Sequence, residues 1–403
     1  MLLRRSVLQL IPWLILPSLA LAAPPRPPHH RRWKPPLTTV MYIVNQPDSI
    51  ASFVAHANEV SIAAPQSFVM GASGFIGGNI PDQVLAVARA RHVAVMPLVT
   101  NRGFSQPLIS TFLDNPASRA RAIRYLLYLA RRDGDIGFQF DLEHIYYTYR
   151  RQYTEFFRET AIAFHRHHLI LSAAVVGRLP GESAASAPQG GYANWGGAYN
   201  YRGIARYADF LSLMAYPQHG GFSGPGAVAG YNWVQRMLAY VGPRVPARKL
   251  SLGVPFYGIE WMPRARPQVA SASLKSNPAP PGPAPNGWQV HGVSYSDVAA
   301  LLASPDPAGA VRAERHWDAV SRTYYLTIPG PNGPGQIWYA SASSLKHELQ
   351  LMRRHHLTSL SAWRLGGEDP AIWALLARDF RIRHPRPPRY WGDFSQRSRW
   401  AAR

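Results

Sequence analysis

The feature that most limits the fold of this chain is a regular alternation of short apolar segments with amphipathic ones. Eight short segments rich in valine, isoleucine and leucine are typical of buried strands, and helical patterns stand between most of them. Parallel strands need crossover helices, so these units, repeated over about 340 residues, predict an α/β fold, a (β/α)8 TIM barrel. A doubly wound sheet would alternate similarly, but no glycine-rich phosphate loop follows the first segment. The predicted strands are 39–44, 60–69, 92–99, 136–143, 169–176, 210–216, 250–256 and 359–363.

Several stretches fall outside this alternation and divide the chain. Residues 262–342 contain a Pro/Ala-rich run and short strand-like runs, and we predict a small α+β insertion there, between the seventh and eighth strands. Residues 23–38 are rich in proline and arginine and are interpreted as a linker. The barrel is therefore expected over residues 39–380, followed by a basic C-terminal tail over 381–403.

Residues 1–22 have the three parts of a secretory signal peptide. An arginine pair at positions 4 and 5 precedes an apolar run over 7–21, and an A-x-A cleavage site ends at Ala22. A membrane anchor is the alternative, but the run has about 15 residues and two prolines, whereas a span needs about 20 apolar residues. We therefore expect a secreted or periplasmic protein, exported by the general or the twin-arginine route.

The chain is strongly basic, with 43 lysine and arginine residues against 22 aspartate and glutamate and a formal net charge of +21. Such a charge is typical of proteins that bind nucleic acid or another anionic surface, although a GC-rich genome also favours arginine. Because much of the excess lies in the two termini of an exported protein, we expect attraction to an anionic cell-wall or membrane surface and not to nucleic acid. Cysteine is absent, which excludes a disulfide scaffold, a thiol nucleophile and a Cys-ligated zinc site.

Polar residues end the fourth predicted strand, which has the sequence IGFQFDLE over 136–143. Because side chains alternate along a strand, Gln139, Asp141 and Glu143 share one face, toward the barrel interior, and the apolar residues between them face the helices. In TIM barrels, active sites lie at the C-terminal ends of strands. Two carboxyl groups this close share a proton and raise one pKa, which suits a general acid. A solvated strand end is the alternative interpretation.

The same segment resembles the strand-four signature D-G-x-D-x-D-x-E of family 18 glycoside hydrolases, the chitinase-like enzymes. Gly137, Asp141 and Glu143 match it, whereas Ile136 and Gln139 replace the first two acids. In having an amide at the second position, the segment resembles relatives that cut bacterial cell wall or spore cortex, which often carry an amide residue there. Four further segments over about residues 39–378 resemble the family in its order: MPLVTN (96–101), LMAY (213–216) with Gln218-His219, KLSLGVPFYG (249–258) and SAWRLGGED (361–369).

The resemblance implies a glycosidase that cleaves β-1,4 bonds next to N-acetylglucosamine by substrate-assisted retention, an exception to the scheme with two catalytic carboxylates. It implies Glu143 as acid/base, Asp141 as the partner of the substrate's acetamido group and Tyr216 as the donor to its oxygen. Gln139 is expected to hydrogen-bond Asp141, and Trp363 to form the floor of the −1 subsite. The expected substrate-binding residues are Gln139, Trp363, Met214, Gln218, Asn101 and Tyr257. Peptidoglycan is the first expected substrate and chitin the second.

One departure from the family bears on activity. Pro217 stands where the family has an aspartate, and a proline side chain forms no hydrogen bond. A catalytically impaired, glycan-binding barrel is therefore the alternative to an active enzyme. The resemblance implies no cofactor, and the histidines at 165, 167 and 168 have no carboxylate near them in sequence, so we expect no metal site. The chain is expected to act as a monomer.

Overall fold

The computed structural model describes residues 34–184, 190–264, 287–303 and 313–385, and its helices and strands lie in the unit Pro35–Arg403. The strands are β1 (Pro36–Ile43), β2 (Ile62–Met70), β3 (Ile76–Gly78), β4 (Ala94–Val95), β5 (Leu98–Asn101), β6 (Gly137–Asp141), β7 (Ile170–Val176), β8 (Phe210–Met214), β9 (Leu250–Pro255), β10 (Gly258–Pro263), β11 (Trp288–Val293), β12 (Glu314–Asp318), β13 (Thr323–Ile328), β14 (Gly335–Tyr339), β15 (Ser359–Trp363) and β16 (Arg381–Ile382). The helices are α1 (Pro47–His56), α2 (Asp82–Arg91), α3 (Gln106–Asp114), α4 (Pro116–Asp133), α5 (Arg150–Arg166), α6 (Tyr201–Tyr207), α7 (Tyr231–Val241), α8 (Tyr295–Ala303), α9 (Ala342–Arg354) and α10 (Ala371–Asp379).

A closed parallel sheet forms the centre of the molecule. Strands β1, β2, β5, β6, β7, β8, β9 and β15 pair in this order, and β15 pairs with β1. Helices follow the strands and cover the outside of the sheet, so the predicted (β/α)8 barrel is confirmed. The predicted third strand is divided into β4 and β5, which both pair with β2.

Local sequence explains where the long helix before β6 begins and ends. The Asn115 side chain accepts hydrogen bonds from the backbone N–H groups of Ala117 and Ser118, and Pro116 occupies the first helical position. Gly134 ends the helix with a φ of +79°, which glycine adopts without steric cost. These two signals place the start of β6, and with it the polar residues at its end.

In the described residues of the insertion between β9 and β15, five strands form an antiparallel sheet and one helix accompanies them. Its strands pair in the order β11-β10-β14-β13-β12, and α8 lies between β11 and β12 in the chain. The predicted α+β insertion is therefore confirmed, although its first strand begins at Gly258, before the predicted limit of 262. The Pro/Ala-rich run over 277–285 lies outside the described residues.

The sheet also extends beyond the predicted barrel limits of 39 and 380. Strand β1 begins at Pro36, and the short β16 pairs with Pro36 and Leu37. The predicted signal peptide, residues 23–33 of the predicted linker and residues 386–403 of the predicted tail lie outside the described residues. Among the residues that the structure describes, no helix has the length and apolar character needed to cross a membrane.

One carboxyl group is buried where the insertion meets the barrel. Glu348 of α9 is 6% exposed and lines a small cavity with Ser344, Pro255 of β9 and Thr323 and Tyr339 of the insertion. Burial raises the pKa of Glu348 from 4.5 to about 8. The folded protein therefore holds a proton at Glu348 at neutral pH, where the unfolded chain has released it.

We expect Glu348→Gln to stabilise the protein increasingly as the pH rises. The folded-state pKa is the higher one, so the free energy of unfolding of the wild type falls between pH 4.5 and about 8. At about 1.4 kcal/mol per pKa unit, the wild type has lost on the order of 3 kcal/mol of its free energy of unfolding at pH 7, and the glutamine variant avoids this loss. Urea unfolding at pH 5 and pH 8 measures it, with the exposed Glu314→Gln as control. An equal pH trend in the two variants would contradict the prediction.

Candidate active site

The polar residues that end β6 lie inside the barrel mouth. Gln139 is fully buried, Asp141 is 4% exposed, and Glu143 follows two residues later at a partly buried position. The intervening phenylalanines face the helices, since the ring of Phe140 stacks on Phe156 of α5 with centroids 5.2 Å apart. The predicted orientation of this strand is therefore confirmed for its described residues.

A glycine permits β6 to pair closely with β7. Gly137 has a φ of +150°, and a Cβ atom there would lie 1.8 Å from the carbonyl oxygen of Ile170. Another residue at this position would push the two strands apart. The glycine of the segment thus allows the close pairing of β6 and β7 on which the positions of Gln139 and Asp141 depend.

Asp141 and Glu143 form a hydrogen-bonded carboxyl pair. Burial raises the pKa of Asp141 to about 6, although the hydrogen bond from Glu143 opposes that rise. The pKa of Glu143 lies well above its usual range, first because of burial and then because of the neighbouring negative charge and hydrogen bond of Asp141. Near neutral pH the pair therefore holds one proton, on Glu143, hydrogen-bonded to an ionised Asp141.

The expected hydrogen bond from Gln139 to Asp141 is wrong. Both N–H groups of the Gln139 amide donate to serine hydroxyls, at 2.8 Å to Ser172 Oγ and 3.0 Å to Ser212 Oγ. Its oxygen accepts from the hydroxyl of Tyr42 at 2.6 Å. These partners leave no amide hydrogen for Asp141, so Gln139 belongs to the polar interior below the carboxyl pair.

This polar interior was not predicted from the sequence. Ser361 of β15 lies 2.8 Å from the hydroxyl oxygen of Ser212 and 2.6 Å from that of Ser251, which continues the network around the barrel. All three serines are buried. A weak signal was present, because one serine occurs in each of the otherwise apolar strands β7, β8 and β9. The network satisfies polar groups that would be costly to bury alone.

Two tyrosines line the mouth on the side of the insertion. Tyr216 follows β8 and Tyr257 follows β9, and their rings meet edge to face with centroids 6.3 Å apart. Burial raises the pKa of both phenols, so they are neutral donors at ordinary pH. Gly253 of β9 makes room for this pair, since a Cβ there would lie 2.3 Å from Leu213 O and 3.1 Å from the Tyr216 ring.

The last barrel strand places Trp363 at the mouth. The indole is partly buried and lies against Tyr42, with ring centroids 5.6 Å apart and a tilt of 51°. Met214, at the end of β8, is also partly buried. The peptide bonds Tyr216–Pro217 and Trp363–Arg364 are cis. Apart from Gln139, the expected site residues of β6, β8, β9 and β15 thus occupy the C-terminal ends of barrel strands or the residues just beyond them.

Two predicted substrate-binding residues have polar groups that contact the protein backbone. The side chain of Asn101 is bonded to both the N–H and the C=O of Glu143, at 3.0 and 3.1 Å. The Gln218 oxygen accepts from Gly230 N at 2.9 Å and so closes the loop after β8. The sequence motifs identified these residues but not their backbone partners.

The histidine cluster at the end of α5 has a carboxylate nearby in space, although none lies near it in sequence. Nε2 of His165 lies 3.0 Å from Oδ2 of Asp209, which is distant in sequence and follows α6. Asp209 also accepts a hydrogen bond from Leu171 N at 2.8 Å. Over the described ranges, histidine and acidic side chains form no group of three or more that could hold a metal ion.

Comparisons with known proteins agree with the barrel fold. The model of the glycosyl hydrolases family 18 matches residues 50–368. The chain is 27% identical to an uncharacterized glycosylase of Bacillus subtilis, YvbX, over 84% of this chain and 90% of that protein. It is 26% identical to the cortical fragment-lytic enzyme of the same organism, over 74% of this chain and 62% of that protein. The crystal structure of the Bacillus cereus spore cortex-lytic enzyme SleL has the same fold, with a TM-score of 0.71 and 20% identity over 87% of this chain and 76% of that one.

Proposed function

The chain belongs to family 18 of the glycosyl hydrolases, and we propose that it cleaves β-1,4 bonds next to N-acetylglucosamine in a bacterial cell-wall glycan. The proposal rests on the buried carboxyl pair at the barrel mouth. Glu143 holds a proton near neutral pH and Asp141 is ionised beside it. A glycosidase needs this combination of an acid for the leaving oxygen and a negative charge near the cation that develops on the sugar.

The proposed reaction has two steps. In the first, the Glu143 carboxyl gives its proton to the glycosidic oxygen while the substrate's 2-acetamido oxygen attacks the anomeric carbon and the bond to the leaving sugar breaks. This yields an oxazolinium ion, a free alcohol and the Glu143 carboxylate. In the second, that carboxylate takes a proton from water. The water oxygen attacks the anomeric carbon, and the bond from this carbon to the acetamido oxygen breaks, which opens the oxazolinium ring. Glu143 regains its proton and the anomeric configuration is retained.

Three other side chains have matching roles in this proposal. Asp141 accepts the acetamido N–H and stabilises the positive charge of the oxazolinium ion. Tyr216, held as a neutral phenol by burial that raises its pKa, donates to the acetamido oxygen. Trp363 supplies the apolar floor on which the C–H face of the sugar stacks.

Peptidoglycan is the substrate that we place first. The amide at Gln139 and the Gln218-His219 pair resemble the cell-wall branch of the family. A relative that covers most of this chain is named for lysing cortical fragments. Chitin is the second candidate, because it presents the same linkage next to N-acetylglucosamine.

We also propose that the protein acts outside the cytoplasm. The signal-peptide pattern over 1–22 supports export. The basic termini favour retention on an anionic wall or membrane surface.

Product analysis tests the proposed function. The purified full-length protein is incubated with purified peptidoglycan and with chito-oligosaccharides, and new reducing ends are identified by mass spectrometry. We expect fragments that end in N-acetylglucosamine, with faster release from peptidoglycan. Tight binding of both glycans without new reducing ends would overturn the proposal and favour a binding protein, in which Pro217 has removed a contact needed for catalysis.

A further inference from the structure

The peptide group of Glu143 lies beyond the end of its strand. Strand β6 ends at Asp141, and its backbone pairing with β5 ends with Thr100 opposite Asp141. The sheet therefore stops two residues before Glu143 and does not hold its backbone. Something else must set the position of this residue if its carboxyl is to stay against Asp141.

The side chain of Asn101 takes the place of the missing strand partner. Its Oδ1 accepts from Glu143 N at 3.0 Å, and its Nδ2 donates to Glu143 O at 3.1 Å. A primary amide offers a donor and an acceptor side by side, as a peptide group does. The two bonds thus reproduce the reciprocal pair that neighbouring backbones form in an antiparallel sheet. Asn101 is 1% exposed, so water does not compete for these bonds.

His144, the residue after Glu143, contacts the segment that follows β5. Nδ1 of His144 lies 3.0 Å from the carbonyl oxygen of Phe104, and the His144 ring stacks on Trp195 with centroids 4.7 Å apart. The last residue of β5 and the segment after it therefore hold residues 143 and 144 in place. Asn101 is the member of this arrangement that touches Glu143 itself.

We propose that Asn101 is a positioning residue, which holds the Glu143 peptide in line with β6 and thereby keeps the Glu143 carboxyl against Asp141. The inference rests on the proposed function and replaces the expectation that Asn101 binds substrate. The two roles differ in their kinetic signature. Loss of a substrate contact raises KM, whereas a misplaced acid lowers kcat, by about 10²-fold for a displacement of about 1 Å.

The test compares Asn101→Ala and Asn101→Asp with the wild type. Alanine removes both hydrogen bonds, and aspartate keeps the shape but loses the donor to Glu143 O. We expect kcat to fall by about 10- to 100-fold in both variants, with KM changed by less than about 3-fold. If the alanine variant does not fold, the kcat and KM of the isosteric aspartate variant decide between the two roles of Asn101. A rise in KM at unchanged kcat, or no kinetic change, would overturn the inference.

Asn115→Ala is the matched control. It also removes an asparagine that makes two hydrogen bonds to backbone N–H groups, but at the start of α4. It should lower the melting temperature and leave kcat unchanged. A loss of kcat in this control as large as that in Asn101→Ala would show a general effect of stability and overturn the inference.

A titration separates this inference from the proposed function. The ¹³C signal of the Glu143 carboxyl should titrate well above the usual glutamate range in the wild type, and nearer that range in Asn101→Ala, because the carboxyl has moved from Asp141. The measurement needs no turnover, so it decides the positioning role even if the wild type hydrolyses no glycan. An unchanged titration in Asn101→Ala would overturn the inference.

Discussion

Glu143→Gln should abolish glycan hydrolysis while fold and sugar binding persist. Glutamine has the shape of glutamic acid but no proton that it can transfer, and the proposed reaction uses Glu143 in both steps. We expect a loss of about 10⁴-fold, the upper end of the range for one general acid/base. Initial rates of reducing-end release measure this loss, and calorimetry with chito-oligosaccharides measures binding.

The control for this variant is Glu155→Gln. Glu155 lies on α5 and pairs with Arg158 at the surface, so its loss should leave the rate unchanged. An undiminished rate in Glu143→Gln would disprove the assignment of the acid. Loss of both rate and binding would point to a disturbed pocket, which circular dichroism and the melting temperature would reveal.

The pH dependence of kcat should be bell-shaped in the wild type, and Asp141→Asn should change both limbs. Below about 6 the pair carries two protons, so Asp141 lacks its charge; at high pH Glu143 loses the proton that it must donate. The rate therefore rises through about pH 6 and falls above the raised pKa of Glu143.

In Asp141→Asn the rate should fall by about 10²- to 10³-fold, because the charge that stabilises the oxazolinium ion is lost. The acidic limb should disappear. The alkaline limb should move to lower pH, since the pKa of Glu143 is no longer raised by a neighbouring carboxylate. Rates from pH 4 to 10 measure both changes.

His219→Gln is the control, because burial lowers the pKa of His219 and a neutral replacement there should leave the acidic limb in place. Loss of that limb in His219→Gln would contradict the assignment to Asp141.

The sequence predicted the barrel because its signals are local. The period-two pattern of β6 appears in the structure as expected, and the caps of α4 likewise depend on residues close together in the chain. The carboxyl pair was predictable for the same reason, since Asp141 and Glu143 lie two residues apart in the chain.

The partners of the site residues depend on contacts that sequence spacing does not encode. Gln139 is bonded to Tyr42, 97 positions away, and to Ser212, 73 positions away. The distance along the chain gives no indication of which hydroxyl a buried amide will meet. Asn101 and Glu143 are likewise 42 positions apart and become neighbours only when β5 and β6 pair.

The neutral amide of Gln139 limits the carboxyl groups at the centre of the site to the pair Asp141 and Glu143. An acid at this position would place a third carboxyl group beneath the pair, with a second proton to share. With Gln139 bonded to hydroxyl groups, the pair alone carries one negative charge at neutral pH. When Glu143 gives its proton away, that charge becomes −2 as the sugar becomes +1, so the net charge enclosed with the substrate stays constant during the proposed first step. The proposed first step therefore forms an ion pair over a few ångströms and brings no additional net charge into the buried site, where an uncompensated charge would be costly.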